Sequence, residues 1–247
     1  MKTGMERAIG AVPRWILALL AASFCLQVAW QALQPKPGAS AQALGEAPAP
    51  AVLRAAALGE PIALAQLMTL YLQAFDNQPG VSIPFLELDY ARVASWLDAI
   101  LGLDPVGQYP MLMAAQIYGQ VADGPKQRQM CEFVHRQFER DPDRRWRWLA
   151  HCAIMAKHRL RDMPLALRYA EAITLKARGA SGWARQMRIF ILEDLGETEA
   201  AKVLLGGLLA SGEVTDPKEI HLLAERMEKL EAAGKSSPPT GTRHPKP

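Results

Sequence analysis

An Asp-Pro step ends a run of helical periodicity at Asp104-Pro105 and does so again 37 residues later at Asp141-Pro142. Proline cannot continue a helix and disfavours the helical state in the residue before it, so each step is a stop with a mechanism. Further along, Leu160-Arg161-Asp162-Met163-Pro164-Leu165-Ala166-Leu167 and Leu195-Gly196-Glu197-Thr198-Glu199-Ala200-Ala201-Lys202 read as two copies of one helix-turn-helix corner. A helical hairpin buries only one face on its own, so a chain punctuated at this interval must stack its hairpins to obtain a continuous core.

Half of the residues are apolar, aromatics make up only 7 %, and few stretches alternate apolar and polar residues as a half-buried strand does. The fold class expected is all-α. Four pairs of helices are predicted between 51 and 233: 60–75 with 87–103, 108–122 with 125–140, 144–161 with 163–177, and 181–195 with 197–211. In the first of these, Pro61 takes the favoured first-turn position and the expected core stripe is Leu64, Leu67, Met68, Tyr71, Leu72 and Phe75. Asp216-Pro217 opens a last helix with Ile220, Leu223, Met227 and Leu230 on one side, the pattern of a terminal cap. The connection 76–87 is long for a helical hairpin. Two roles fit it, a lid on the first pair held by Phe75, Phe85 and Tyr90, or a filling for the end of the stack.

These corners, the Asp-Pro exits and a period near 34 resemble tetratricopeptide repeats. Matching the small position of the second helix gives Val93, Met130, Ala166 and Ala201, spaced 37, 36 and 35 residues apart. Ala115 and Tyr118 suit the small and aromatic positions of a first helix, while Ile154 and Ile189 take the small position in later units. The likeness covers 60 to about 211 and departs from the family where Val93 and Met130 are large. It implies a right-handed α-solenoid whose first helices line a concave, protein-binding face. On that face the candidate contact residues are Gln116, Tyr118, Lys157 and Arg188. The run Arg140 to Trp148 adds Arg144, Arg145 and Trp146, since Trp and Arg often carry binding energy; the competing reading packs Trp148 into the core and leaves the arginines on an exposed corner.

Ahead of the repeats, residues 13–33 form one apolar segment with Trp15 and Trp30 near its ends and no charge between Ile16 and Ala29. At about 1.5 Å per residue it reaches roughly 30 Å, the thickness of a bilayer core. Lys2, Arg7 and Arg14 precede it, offset by Glu6, so the positive-inside rule keeps 1–12 in the cytoplasm and exports the rest, giving a single-pass protein of the inner membrane with a periplasmic domain. A cleaved signal peptide is the alternative, with small-x-small sites at Ala39-Ser40-Ala41 and Ala41-Gln42-Ala43. The length of the run, and Trp30 and Gln31 between it and those sites, favour an anchor. Residues 34–50 read as a semi-extended Pro/Ala-rich tether and 234–247 as a disordered tail.

The chemistry left open is narrow. Cys131 and Cys152 fall ten or eleven residues either side of the Asp141-Pro142 corner, at equal height on facing helices. Export allows a disulfide there, and two buried thiols are the alternative. His151 and His158 are seven apart rather than the four that suits chelation on a helix, and no Cys-x-x-Cys occurs, so no metal is expected. Serines are few, no glycine-rich phosphate loop follows a strand, and no nucleophile stands with a base, so neither catalysis nor a cofactor or small-molecule substrate is expected. A net charge of +3 gives no nucleic-acid signal. The expected function is that of an envelope scaffold, adaptor or assembly factor for an unspecified protein partner. In architecture it resembles the anchored tetratricopeptide subunits that assist export or cytochrome c maturation. A permanent structural subunit and an enzyme on a helical-repeat scaffold are the alternatives.

Overall fold

The computed structural model describes residues 13–34, 41–212 and 214–236, the side chains of the last helix as far as 232. The expected cytoplasmic segment 1–12, with Lys2, Glu6 and Arg7, residues 35–40 of the linker and the tail beyond Ser236 lie outside the described residues; the last helix runs to Ser236, three residues into the expected tail. Among the described residues the chain is all-helical apart from one small two-stranded sheet. It divides into two compact units, Met1–Ala41 with Pro79–Val81 and Gln42–Gln78 with Ser82–Pro247.

The first unit contains α1, Arg14–Leu33, which begins after Pro13 and buries none of its residues. It is long and apolar enough to cross a membrane.

The second unit begins with chain that the sequence assigned to a free tether, and that expectation is corrected from Gln42 onward. Gln42 and Gln78 exchange two hydrogen bonds, 2.8 Å from the Gln42 N–H and 2.9 Å from the Gln78 amide. Leu44 is buried and its carbonyl accepts from Arg92, while the indole of Trp96 donates to the Gly45 carbonyl at 2.9 Å. A Pro/Ala-rich stretch carries no periodicity, so nothing in it announced this docking. A short helix that the sequence did not predict, α2 (Pro50–Ala56), follows and turns at Leu58 and Gly59, both at positive φ.

Next come α3 (Pro61–Ala74), strands β1 (Asn77–Gln78) and β2 (Val81–Ser82), a 3-10 turn at Phe85–Glu87, and α4 (Tyr90–Leu103). The buried side of α3 is Ala65, Met68, Thr69 and Leu72. Leu67 and Tyr71, expected inside, face out. Apolar residues surround α3 on every side, so their spacing could not single out the face that α4 covers. The 76–87 connection folds down: Ile83 is buried and donates its N–H to the Asp76 carbonyl, and Phe85 meets Tyr118 edge-on at 5.5 Å.

Then follow α5 (Tyr109–Leu112), α6 (Gly124–Arg140), α7 (Pro142–His158), α8 (Met163–Lys176), α9 (Gly182–Asp194), α10 (Thr198–Ser211) and α11 (Pro217–Ser236). The Asp-Pro step proves to be a start as much as a stop. Asp141 ends α6 and accepts the Arg144 N–H at 3.3 Å as the N-cap of α7, with Pro142 in the first turn. Asp123 and Asp162 cap α6 and α8 in the same way, through Lys126 and Leu165. Helices adjacent in sequence pack from α6 through α11, α3 packs on α4, and the alternate pairs α4 with α6, α5 with α7 and α7 with α9 also touch.

α5 departs from the predicted 108–122 helix by loosening into a π turn at Met113–Ile117 and then a 3-10 turn at Tyr118–Gln120. Gly119 permits the tightening, because a Cβ there would lie 2.9 Å from the Ala114 carbonyl oxygen. Cys131 and Cys152 are buried as free thiols.

Candidate functional site

Most of the predicted contact residues are engaged in holding helices together. Tyr118 is 1 % exposed. Its hydroxyl donates to the Leu72 carbonyl at 3.3 Å and its own carbonyl accepts from the Tyr90 hydroxyl at 3.0 Å. Burial pushes the Tyr118 phenol well up, and the Tyr90 phenol up to about 12. Tyr118 therefore joins α3 to the segment after α5 and cannot meet a partner, correcting its assignment to an exposed face. Arg145, 3 % exposed, is corrected likewise. It donates to the Gln137 carbonyl at 2.7 Å, to the Gln137 side chain at 3.0 Å and to the Pro105 carbonyl at 2.9 Å. Burial lowers its pKa, and three acceptors hold the charge in place. Lys157 pairs with Asp194, and Arg188 with Glu171 at 3.0 Å, each reaching a neighbouring helix.

Gln116, Arg144 and Trp146 are the predicted residues left for contact. Gln116 and Arg144 are exposed, the latter 3.4 Å from Asp141, and Trp146 is half-buried. The structure brings Trp146 together with a residue the sequence reading missed. Its ring meets Trp183 at 5.7 Å and 64°, and the Arg147 guanidinium lies 5.6 Å from the Trp146 centroid. Trp183 is half-exposed at the start of α9. A signal for it existed: Tyr109, Trp146 and Trp183 stand 37 residues apart in sequence. They stand within the first turn or so of α5, α7 and α9, as first, fifth and second residue in turn, and Tyr109 is exposed as well.

Tyr109 also ends a groove of about 590 Å³ lined on α3 by Gln66, Thr69, Leu70 and Gln73, and closed by Asp104 and Gln108. Gln73 donates to the Tyr109 hydroxyl, and Gln108 is held from below by the Trp148 indole at 2.9 Å. Trp148 is thus partly inward, whereas the exposed corner that the competing reading gave the arginines does not hold for buried Arg145. Asp143 accepts the Gly179 N–H at 2.9 Å and so fixes the corner that carries the Trp146–Trp183 pair.

The row offers apolar rings, amide donors and acceptors, and a guanidinium, the chemistry that docks an apolar side chain beside a carboxylate. His151 is tied to Gln120 at 2.9 Å, and burial with the nearby Arg159 lowers its pKa, whereas His158 is exposed. Among the described residues no cluster of three His, Cys, Asp or Glu is placed to hold a metal ion. Compared with family models, with characterised proteins and with solved structures, the chain has no match.

Proposed function

We propose that this chain is a membrane-anchored scaffold of stacked, tetratricopeptide-like helix pairs that binds a protein partner at the cell envelope and works without catalysis. The observation that carries the stacked-repeat reading is the separation at which distant residues meet. Gln42 with Gln78, Glu132 with Arg168 and Asp143 with Gly179 are each 36 apart, and Glu139 with Lys176 is 37 apart. Contacts that recur at about one period are what nearest-neighbour stacking of hairpins produces. The four positions aligned as the small site of the second helix, Val93, Met130, Ala166 and Ala201, are all fully buried, which fits that register.

In this reading α3, α5, α7 and α9 are the first helices of their pairs, in the right-handed sense of the superfamily. The groove at Gln73 and the row Tyr109, Trp146, Trp183 form the partner-binding side. The anchor α1 holds the partner beside the bilayer and raises its local concentration. The charges around α1 support an N-terminus in the cytoplasm and a domain outside it, in the inner membrane of a bacterial-type envelope.

The test is a photo-crosslinking amino acid placed at Trp183, at Gln73 or, as a control, at exposed Val203 on α10, with the full chain in its native membrane. The first two positions are expected to trap the same protein, and Val203 none; equal yields at all three overturn the binding assignment. A reporter active only outside the cytoplasm, fused after Gly234, is expected to be active, and an inactive fusion reverses the orientation.

A further inference from the structure

Helix α3 has an outer surface that the fold leaves unexplained. Its fourteen residues, PIALAQLMTLYLQA, contain no charge. The stripe opposite the buried side runs Ala63, Leu67, Leu70, Ala74, with Leu67 64 % and Leu70 61 % exposed; Leu70 also forms the rim of the groove. At the tip before α3, Leu58 is 90 % exposed and held at a φ of +48°, and Ile62 and Val52 stand out beside it. A charge-free apolar helix is normally buried, and grouped exposed leucines mark a surface that something covers.

The covalent chain restricts what that can be. From Gln34, just past α1, to Ala41 there are seven residue steps, at most about 25 Å fully extended. From Gln42 the chain is hydrogen-bonded onto Gln78, and at Leu44 and Gly45 onto α4, the helix against which α3 packs. Chain length alone thus keeps Ala41, and the domain that begins beside it, within reach of the bilayer surface. A charge-free helix held at an interface, with leucines at its tip and along one exposed face, gains by moving them from water into the headgroup and upper acyl region.

We infer that the α2–α3 corner lies on the membrane surface, with Leu58, Leu67 and Ile62 inserted among the lipids. The lipid interface is therefore a second binding surface of this protein, distinct from the transmembrane anchor. The inference rests on α1 spanning the bilayer, and the experiment separates the two. The full-length protein is reconstituted into phosphatidylcholine and phosphatidylglycerol vesicles and labelled with an environment-sensitive fluorophore at native Cys25, or, in a Cys25→Ala background, at Leu58→Cys, Leu67→Cys or Val203→Cys. Lipids carrying a quencher at a shallow acyl position are expected to quench the probes at 58 and 67 and to leave the probe at 203 unaffected. Deep-quencher lipids are expected to quench the probe at Cys25. Adding Leu67→Glu is expected to abolish lipid quenching at 58. If Cys25 is quenched while 58 and 67 are not, α1 spans and the surface-docking inference is overturned, including the case in which a second copy of the chain shields the probes from lipid. If Cys25 itself escapes lipid quenching, the anchor reading falls and this inference falls with it.

Discussion

Helix α3 contains no charged residue and leaves Leu67 and Leu70 outside, whereas α6 carries Lys126, Arg128, Glu132, Arg136, Glu139 and Arg140 and still buries Met130, Cys131, Phe133, Val134 and Phe138. The helix with more apolar residues contributes fewer of them to the core. In α6 the apolar residues share one stripe, covered by α7, α4 and the turns after α5, and three charges on its other side reach α8 and its N-cap: Glu132 to Arg168, Glu139 to Lys176 and Arg128 to Asp162. In α3 only one narrow face finds a protein neighbour. Burial here follows pattern rather than quantity, and the surplus apolar surface of α3 contributes nothing to the folded domain.

The sharpest way to break that contrast is truncation on both helices. Phe133→Ala is expected to cost about 3–5 kcal/mol, because the ring is buried and its loss leaves a cavity. Leu67→Ala is expected to change stability by less than about 0.5 kcal/mol, since nothing in the domain covers that side chain. Urea unfolding of the full chain in detergent, followed by circular dichroism, reads both values. Comparable losses at the two sites would mean that α3 is part of the core after all.

A second contrast lies between neighbouring arginines on α7. Arg145→Ala removes three hydrogen bonds from a charged donor and leaves the Gln137 and Pro105 carbonyls short of a partner, an expected loss of about 3 kcal/mol. Arg144→Ala removes an exposed pair with Asp141 and is expected to cost less than about 0.5 kcal/mol. In the crosslinking assay the effect belongs with the aromatic row instead: Trp183→Ala lowers partner capture while leaving the unfolding midpoint close to that of the parent.

These pairs also mark how far residues alone could be read. Helix boundaries were legible where proline and aspartate set them, because those residues act on their own backbone: α4, α6, α7 and α8 lie close to their predicted spans. Facing was legible where charge cleared one side of a helix, as in α6, and failed in α3. Tyr118 looked like a contact residue because an aromatic ring with a hydroxyl suits a surface as well as a core, and only the Leu72 and Tyr90 hydrogen bonds decide between them. Trp183 was missed as a lone tryptophan beside a loop; its partner lies 37 residues earlier, and the recurrence Tyr109, Trp146, Trp183 was the signal to follow.

Thiol chemistry sharpens the same division between a packed middle and a bare edge. Burial, with the Cys131 thiol beside it, pushes the Cys152 thiol well up, so the reactive thiolate is scarce at neutral pH. A maleimide is therefore expected to leave Cys131 and Cys152 unmodified in the folded chain and to modify both in urea, read by mass spectrometry of peptides. In vesicles the exposed Val203→Cys should react with maleimide, whereas Leu67→Cys should be protected by the lipid that covers it.

The smallest effect expected is a pH dependence arising in α6 and α7. Burial lowers the pKa of His135, an effect strengthened by Arg168 and Lys176 and opposed by Glu139 and Glu132. Burial and Arg159 lower that of His151, opposed by its contact with the Ala115 backbone. Both rings thus prefer to be neutral in the folded state, so in this range the unfolded chain binds more protons than the folded one. Their contribution to stability is complete above the unfolded imidazole value near 6.5 and is lost as the pH falls from there through the depressed folded values. Asp162, held below the usual carboxylate range first by the Leu165 N–H and then by Arg128, loses its contribution only at lower pH, as acid protonates it. Urea midpoints measured between pH 8 and pH 5 should therefore decline from about 6.5 downward, and the combined His135→Gln and His151→Gln variant should flatten that decline without touching the carboxylate step. An unchanged decline in the double variant would place its origin in the carboxylates and leave the buried side of α6 and α7 indifferent to imidazole charge.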